Sequence, residues 1–385
     1  MTGKRLLFVT NESYFFVSHR LPVGLAARAA GYDVHIAAPA DHVWAPPDFS
    51  VDALGEYGFT FHPIPLSRRS RNPLREAATL MALVRLYRSL RPDLVHHMTV
   101  KPILYGSLAA RMTGVPAVVN LVTGLGQLFV AQGGVAPVLR SLAITGYKIA
   151  RGHPNAWTMV QNHGDLEVLT EAQAINPARA TVVPGSGVDL NAFPPSPDPG
   201  GTPVVVMPAR LIWEKGVQTF ADAARSLKAD GVNARFALVG GTQPSNPRSV
   251  PEHTMRQWEA EGILEWWGHR SDMPEVLSQA HIVCLPSTYG EGVPKILLEA
   301  AASGRPAVAA DIPGCREAVH HGETGLLTAP GDGAALTSAL ATLINDASLR
   351  GTYGAQARML AEAKFSDRLV AERTMTVYKQ LMDQE

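Results

Sequence analysis

The sequence has little cysteine, and it has no long apolar run. Its 385 residues include only Cys284 and Cys315, both in apolar or turn contexts and without metal-ligand spacing. Two such residues exclude a disulfide framework and favour a reducing compartment, with both thiols as small buried hydrophobes. No segment approaches the ~20 apolar residues of a membrane-spanning helix, and the run Leu6 to Val9 is too short for a signal peptide. We therefore expect a cytoplasmic protein, either free or on a membrane surface.

An excess of charge of either sign is also missing. The chain has 34 Lys and Arg against 34 Asp and Glu, so a bulk attraction to nucleic acid is not indicated. The balance conceals an asymmetry, because residues 1–190 hold 17 basic against 12 acidic side chains and the remainder holds 17 against 22. With 46% apolar and 18% charged residues, the composition is typical of a well-packed chain long enough for two domains.

Several catalytic motifs are absent. There is no Asp-x-Asp pair and no His or Cys cluster with ligand spacing, so we expect no metal, and we expect cationic side chains to hold any phosphate. Neither a Gly-x-Ser-x-Gly elbow nor a Gly-x4-Gly-Lys-Ser/Thr loop occurs, which argues against hydrolases and P-loop enzymes. The residues after the first strand, Asn11 to Arg20, contain no glycine, which disfavours a dinucleotide site.

Short apolar strands alternate with helices along the chain, which predicts an α/β protein whose parallel sheets are covered on both faces. Among the helices, we expect Leu21–Ala30 and Leu74–Leu90. The expected strands are Leu6–Thr10, Val34–Ala38, Phe59–Ile64, Leu94–His97, Ala117–Val122, Trp157–Gln161 and Thr181–Val183, followed by Val204–Met207, Arg235–Val239, Leu264–Trp267, His281–Leu285 and Ala307–Ala310.

A stretch rich in proline and glycine divides this alternation in two. We predict a first domain at 1–190, a linker at 191–202, a second domain at 203–365 and a C-terminal helix at 366–385 that packs back on the first domain. Two α/β domains joined in this way would face a central cleft, which is a preferred place for a ligand.

The stretch Tyr289 to Gly304 carries the strongest site signal. It lies between two apolar strands and contains Glu291 and Glu299, eight positions apart. Pro294 suits a first helical turn, whose N–H groups and partial positive charge favour a phosphate, and Gly292 permits close approach. If all eight steps were helical, the two carboxylates would lie about 12 Å apart along the axis, the scale of a sugar diphosphate with ribose. An amphipathic helix with a solvent-facing Glu299 is the alternative.

Other strand ends in the second half add cations and glycines. Arg210 and Lys215 follow one strand and suit a diphosphate, although a solvated loop would have the same composition. Gly240 ends another strand in a weak glycine turn. The run Gly268 to Arg270 follows a third strand. Backbone groups there can read the edge of a base; alternatively, the side chains of His269 and Arg270 are simply exposed.

In the first half, polar residues follow the fourth and fifth strands. Lys101 would attract an anion, whereas His96 and His97 can equally be satisfied by backbone groups. Asn120 to Gly126 ends the next strand in a flexible loop that permits close approach.

The segment Leu66 to Asp93 is strongly basic, with seven arginines against Glu76 and Asp93 and apolar residues between them. The arginines are at positions 68, 69, 71, 75, 85, 88 and 91. Such a basic amphipathic helix can lie on an anionic membrane, or it can be an ordinary covering helix with a charged outer face.

Taken together, the second half resembles the family 4 retaining glycosyltransferases of the GT-B fold, which have two Rossmann-like parallel-sheet domains facing a central cleft. The resemblance rests on Glu291-x7-Glu299, on Arg210 with Lys215 and on Gly304 to Val308, in the family's order. The first half is similar to a narrower group, the undecaprenyl-diphosphate-linked N-acetylgalactosaminyltransferases of bacterial surface glycan assembly. Ser18 to Pro22, Val100 to Arg111 and Thr123 to Gly126 carry this second resemblance.

The resemblance implies roles for individual residues. Arg210 and Lys215 would hold the donor diphosphate, and Glu291 would hold the donor sugar; these three are the expected catalytic residues. Glu299 would hold the ribose, and the other expected donor-binding residues are Gly292, Val293, Pro294, Lys295, Gly240, Gly268, His269 and Arg270. The expected acceptor side comprises Ser18, His19, Lys101, Thr123, Gly124 and Gly126. The donor would be a UDP-sugar with no metal, and the acceptor a lipid-linked saccharide at the inner face of the cytoplasmic membrane.

One departure from the family pattern affects the mechanism. Many family members have a histidine at the strand end near Val122, and this chain has none there. Transfer with retention can proceed without a protein base if the departing phosphate accepts the acceptor's proton. There are two alternatives: a UDP-sugar 2-epimerase of the same architecture, and a non-catalytic nucleotide-sugar-binding partner of a glycan assembly complex.

Overall fold

The computed structural model describes residues 3–41, 49–67, 70, 72–126, 136–243 and 246–383. The chain divides into two compact units, Met1–Ser186 with Asp367–Glu385, and Gly187–Ser366. Each unit has its own sheet and its own apolar core.

The first unit contains a parallel sheet of seven strands in the order β3-β2-β1-β4-β5-β6-β7. Its register places Leu7 of β1 between His35 of β2 and Val95 of β4. The strands are β1 Arg5–Val9, β2 Asp33–Ala38, β3 Thr60–Pro63, β4 Leu94–Met98, β5 Ala117–Val122, β6 Ala156–Val160 and β7 Ala180–Val182. Its helices are Ser13–Ala29, Ala53–Glu56, Pro73–Leu90, Val100–Thr113, Ala136–Arg151, His163–Glu171 and Asp367–Met382.

The second unit contains a parallel sheet of six strands in the order β10-β9-β8-β11-β12-β13. The strands are β8 Val204–Pro208, β9 Arg235–Val239, β10 Glu265–Trp266, β11 Ile282–Leu285, β12 Ala307–Ala310 and β13 Gly325–Thr328. Its helices are Val217–Ala229, Glu252–Ala260, Met273–Ser278, Lys295–Ala302, Pro313–Ala318, Gly333–Asn345 and Ala347–Lys364. The interior strands β8, β11 and β12 are buried along their whole length, as expected for a sheet covered on both faces.

Local signals explain where several elements begin. The helix Pro73–Leu90 starts where the Asn72 side chain accepts from the Leu74 N–H at 2.9 Å and proline takes the first turn. The first helix begins at Ser13, eight residues before the predicted start, and continues through Pro22. Its buried residues, among them Phe16, Arg20 and Val23, recur at helical spacing, so tertiary packing decides its length.

The C-terminal helix Asp367–Met382 lies in the core of the first unit. Val370, Val377 and Tyr378 join the apolar cluster that contains Leu6 and Phe8 of β1. The Tyr378 hydroxyl also contacts Nδ1 of the buried His96 at 2.5 Å. This helix is therefore part of the first unit although it follows the whole of the second in sequence.

The segment 191–202, which we predicted to be a linker, lies within the second unit. Arg305 Nη2 donates to the Pro197 carbonyl at 2.9 Å, and Arg350 Nε donates to Asp198 at 3.0 Å. Arg358 Nη1 donates to the Phe193 carbonyl at 2.9 Å. Three arginines distant in sequence thus fix this segment, which proline and glycine alone would leave flexible.

Candidate active site

Several of the residues expected to bind the donor lie at one point of the second sheet. The strand order reverses between the neighbouring strands β8 and β11, and ligands of open α/β sheets bind at the carboxyl ends of strands at such a switch point. The loop after β8 carries Lys215, and the loop after β11 carries Glu291. Two residues 76 positions apart in sequence are thereby brought into contact.

Lys215 and Glu291 form a buried ion pair. Lys215 ends a single 3₁₀ turn, Trp213–Lys215, and is 9% exposed. Its Nζ donates to one carboxylate oxygen of Glu291, while the Ser287 hydroxyl donates to the other. The same Nζ lies 5.6 Å from the centre of the Tyr289 ring. The two charged groups thus contact each other, and Ser287 and Tyr289 contact the pair as well.

The charges around Lys215 keep it protonated. Burial lowers the pKa of this ammonium, but the Glu291 carboxylate and Tyr289 raise it by more, so the pKa lies above its ordinary value. Arg210 opposes this increase, which means that its guanidinium is near enough to act on Lys215. The site thus collects two cations and one carboxylate, an arrangement that suits an anionic phosphate beside a hydroxyl-bearing group.

Glycine makes this contact between the two loops possible. Gly216 has φ of 82°, the left-handed conformation that most side chains avoid. A Cβ at Gly216 would lie only 2.0 Å from the Pro286 carbonyl oxygen. The loop after β8 can therefore lie directly against the end of β11 only with glycine at this position.

Glu299 lies on the helix Lys295–Ala302 and is 8% exposed, so it is not the solvent-facing residue of the alternative interpretation. Burial raises the pKa of its carboxyl, and Lys295 lowers it by less. Lys295 Nζ lies 3.3 Å from Glu299 Oε1.

The assumption that all residues from Glu291 to Glu299 are helical is wrong. Pro294 is the N-cap, with φ of −64° and ψ of 123°, and the helix begins only at Lys295. Residues 291–294 form a loop. Pro294 contributes to this, because a proline disfavours helical angles at the residue before it, here Val293. The 12 Å spacing therefore does not apply. Val293 is buried in the apolar cluster beneath the loop, which leaves the backbone at Gly292 and Val293 as the expected ligand-facing part.

The two predicted glycine turns meet. The Gly240 N–H donates to the Gly268 carbonyl at 2.8 Å, and the Trp266 indole N–H donates to the Gly240 carbonyl at 2.9 Å. A Cβ at Gly240 would lie 2.0 Å from the Ala209 carbonyl oxygen. The loops after β8, β9 and β10 are thus packed together. His269 is exposed, and Arg270 is engaged with Asp272, its Nε lying 2.6 Å from Oδ1.

Two of the residues expected on the acceptor side, Ser18 and His19, lie in the second turn of the helix Ser13–Ala29. The Ser18 hydroxyl donates to the Tyr14 carbonyl at 2.8 Å and lies 2.7 Å from His19 Nδ1. His19 stacks on Phe15 with ring centroids 4.6 Å apart. Thr123, Gly124 and Gly126 follow β5, and both glycines have positive φ.

Lys101 has all three ammonium hydrogens occupied. Its Nζ donates to the Ser67 carbonyl at 2.8 Å, the Ser70 carbonyl at 2.7 Å and Glu76 Oε1 at 2.7 Å. In this conformation Lys101 fixes the loop before the helix Pro73–Leu90, so its expected role toward an anionic acceptor requires these bonds to be exchanged.

The two strand-end histidines belong to the core of the first unit. Burial lowers the pKa of His97 to about 4, so the ring is neutral at pH 7. Its two nitrogens contact Asn120 Oδ1 and the Tyr87 hydroxyl, each at 2.9 Å. Side chains thus satisfy both nitrogens of His97, whereas the alternative interpretation expected backbone partners. Nδ1 of His96 contacts the Tyr378 hydroxyl, and its buried Nε2 has no hydrogen-bond partner among the described residues.

Within the described part of the chain, no three His, Cys, Asp or Glu side chains are grouped closely enough to hold a metal ion. No helix in that same part is both long and apolar enough to cross a membrane.

Two family models match the chain. Residues 5–143 match the model described as "Glycosyl transferase 4-like". Residues 202–346 match the model described as "Glycosyl transferases group 1". The chain belongs to the glycosyltransferases.

Curated relatives agree with this assignment. The chain is 26% identical to the N,N'-diacetylbacillosaminyl-diphospho-undecaprenol alpha-1,3-N-acetylgalactosaminyltransferase of Campylobacter jejuni, over 98% of this chain and 99% of the relative. It is also 26% identical to the UDP-Gal:alpha-D-GlcNAc-diphosphoundecaprenol alpha-1,3-galactosyltransferase of Escherichia coli, over 65% and 66% of the two chains.

Solved structures show the same fold. Anabaena HepE in complex with UDP superposes with a TM-score of 0.77 at 18% identity, over 98% of this chain and 100% of that one. Sucrose-phosphate synthase from Thermosynechococcus elongatus gives 0.82 at 19% identity, over 99% and 100%. The prediction of a GT-B glycosyltransferase with two Rossmann-like parallel-sheet domains is confirmed.

Sequence reasoning about this glycosyltransferase did not assign roles to three residues at the site. Ser287 and Tyr289 contact the Lys215–Glu291 pair, and Gly216 brings the two loops together. Tyr289 lay inside the stretch that we singled out, and Gly216 follows Lys215 directly. The available signal was that glycine readily adopts a positive φ, but a single sequence does not show whether Gly216 does so.

Proposed function

We propose that this glycosyltransferase transfers a sugar, an N-acetylhexosamine, from a UDP-sugar to a polyprenyl-diphosphate-linked saccharide in bacterial surface polysaccharide or glycan synthesis. The observation that carries the proposal is the match with the Campylobacter jejuni relative, which extends over nearly the whole of both chains. The Escherichia coli relative, by its name, also uses a diphosphoundecaprenol-linked acceptor. A reaction on such an acceptor would occur at the inner face of the cytoplasmic membrane.

In this proposal the second unit holds the donor. Lys215 and Arg210 hold the diphosphate, Glu299 accepts hydrogen bonds from the ribose, and Glu291 with the 292–295 backbone holds the sugar. The backbone around Gly240 and the run Gly268 to Arg270 frame the base. Support comes from the switch-point position of Lys215 and Glu291 and from the contact between the glycine turns. The donor is a substrate, and we expect no metal.

The chemistry that we propose retains the configuration of the donor sugar. The bond between the anomeric carbon and the diphosphate oxygen breaks while the acceptor hydroxyl oxygen attacks from the same face. The hydroxyl proton passes to the departing diphosphate oxygen, so no protein base is needed after β5, where the chain has Val122 and Thr123. Lys215 and Arg210 stabilise the negative charge that develops on the diphosphate.

We propose further that three helices of the first unit contact an anionic membrane. Pro73–Leu90, Val100–Thr113 and Ala136–Arg151 pack side by side as one layer. Together they carry one acidic residue, Glu76, and eight basic ones: Arg75, Arg85, Arg88, Lys101, Arg111, Arg140, Lys148 and Arg151. Each helix also exposes a large apolar side chain, and the set comprises Leu74, Met81, Met112 and Leu142.

On the first of these helices, four exposed residues form one stripe. Leu74, Met81, Arg85 and Arg88 are spaced by seven, four and three residues, which places them on the same side of a helix. Leu74 is 81% exposed. Each arginine near an anionic surface contributes about 1 kcal/mol. Arg68, Arg69 and Arg71, which we also predicted to take part, lie outside the described residues.

Vesicle sedimentation tests this membrane contact. We expect binding to phosphatidylglycerol-containing vesicles to exceed binding to phosphatidylcholine vesicles, and to weaken about 10-fold or more in the Arg85→Glu/Arg88→Glu variant, since ~2 kcal/mol of attraction is lost. The control reverses two arginines on the C-terminal helix, Arg368 and Arg373. Equal sedimentation of both double variants, or none by the wild type, would contradict this face as the membrane contact.

Sugar transfer tests the catalytic proposal. With a radiolabelled UDP-N-acetylhexosamine, we expect label to reach the lipid fraction only when a polyprenyl-diphosphate-linked sugar is added. Conversion of the donor to an epimer without any acceptor would support the epimerase instead.

A further inference from the structure

Gly314 touches the backbone of the proposed sugar-binding loop. It lies on the short helix Pro313–Ala318, directly after β12 and Asp311-Ile312. A Cβ at this position would lie 1.4 Å from the Gly292 carbonyl oxygen and 2.6 Å from that of Glu291. Non-bonded heavy atoms pack at about 3.5–4 Å. Only a residue without a side chain therefore lets the loop lie where it does.

The next residue, Cys315, places the same helix beside the ion pair. Its thiol is fully buried in the apolar cluster that also contains Val293 and Leu297. Burial, and then the nearby Glu291 carboxylate, raise the pKa of this thiol well above its ordinary value, while Lys215 acts in the opposite direction. The helix thus lies against the 291–292 backbone and close to the side chains of Glu291 and Lys215.

Together these contacts give the loop a rigid support. The loop 291–294 is not helical, and the side chain of Glu291 is anchored to Lys215 and Ser287. On one side, the carbonyl groups of residues 291 and 292 pack closely against Gly314, which leaves no room for a side chain there. A larger residue at 314 must displace these peptides by more than ~1 Å, and a displacement of that size costs about 100-fold when it misaligns reacting groups.

We infer that Gly314 is a positioning residue for glycosyl transfer, because it fixes the backbone of residues 291–292 against which the donor sugar is held. The inference rests on the proposed function, which assigns the donor sugar to Glu291 and the 292–295 backbone. Gly314 itself needs no contact with the donor, since it acts through the loop.

The test compares two glycine variants with the same kind of steric conflict. Gly314→Ala presses on the Gly292 carbonyl, and Gly354→Ala, on the helix Ala347–Lys364, would place its Cβ 2.2 Å from the Gly304 carbonyl oxygen. We expect both to lower the melting temperature. Only Gly314→Ala should lower kcat/KM by about 100-fold and raise hydrogen–deuterium exchange in residues 287–294.

Each outcome decides the inference. Unchanged kcat/KM and exchange in Gly314→Ala, or an equal loss of activity in Gly354→Ala, overturns it. If Gly314→Ala is insoluble, Cys315→Ala replaces it, and we expect a smaller loss of kcat/KM and a smaller rise in exchange. If Cys315→Ala shows neither of these changes, the inference is again overturned. If the wild type transfers no sugar, the proposed function fails, and the exchange comparison between the variants still decides whether Gly314 fixes the loop.

Discussion

Replacing Lys215 with methionine is expected to lower kcat for sugar transfer by about 100- to 1,000-fold, the usual effect of removing one group that stabilises a developing anion. Methionine keeps the length and volume of the buried side chain and removes only its charge and donors. The loss should appear in kcat, because charge on the departing diphosphate grows only as the glycosidic bond to the donor breaks. Steady-state kinetics with a saturating lipid-linked acceptor measures it.

The Lys215 result needs a control for stability. Lys215→Met leaves Glu291 as a buried charge without its cation, which destabilises proteins by about 3–5 kcal/mol. The Lys215→Met/Glu291→Gln double variant removes both charges, so we expect its melting temperature to recover while its activity stays low. Lys228→Met, at an exposed position where Nζ donates to the Gly262 carbonyl, should keep wild-type kcat. Wild-type kcat in Lys215→Met would contradict its assignment to the diphosphate.

Replacing Glu299 with alanine is expected to raise KM for the UDP-sugar by about 10- to 100-fold, since a hydrogen bond to a charged group is worth about 1.5–3 kcal/mol. The effect on kcat should be smaller, because the ribose lies away from the bond that breaks. Calorimetric titration with UDP checks the same loss without turnover. Glu362→Ala, which removes a half-exposed carboxylate paired with Arg358 on another helix, serves as the matched control.

Glu299 also predicts a pH dependence. Burial raises the pKa of its carboxyl, so it takes up a proton at a higher pH than an ordinary glutamate does. The ionised form is the better acceptor for two ribose hydroxyls, and donor KM should therefore rise as the pH falls through the raised pKa. In Glu299→Gln this rise should be absent. An identical pH profile in wild type and variant would remove Glu299 from the ribose site.

Much of the fold could be predicted from the sequence because its signals are local. The strands Ala117–Val122 and Ala307–Ala310 have the predicted bounds, since each is a short apolar run between turn residues. The helix Pro73–Leu90 follows from Asn72, Pro73 and the stop before Pro92. By contrast, β13 at Gly325–Thr328 was not predicted, because this run of four residues gains strand character only by pairing with β12.

The site was harder to predict where distant segments decide its geometry. The Lys215–Glu291 contact follows from strand order, which no local pattern contains. The partners of Lys101 come from a loop about 30 residues away, so its occupied ammonium could not be foreseen. The steric limit at Gly314 likewise depends on a loop 22 positions earlier in the chain.

The most direct test of the central claim is mass spectrometry of the lipid product. The purified protein is incubated with a panel of UDP-sugars and a short polyprenyl-diphosphate-linked saccharide, beside the Lys215→Met variant. We expect the acceptor to gain the mass of one N-acetylhexosamine with the wild type, and far less product with the variant. No mass gain with any UDP-sugar, or equal product from the two proteins, would contradict the account.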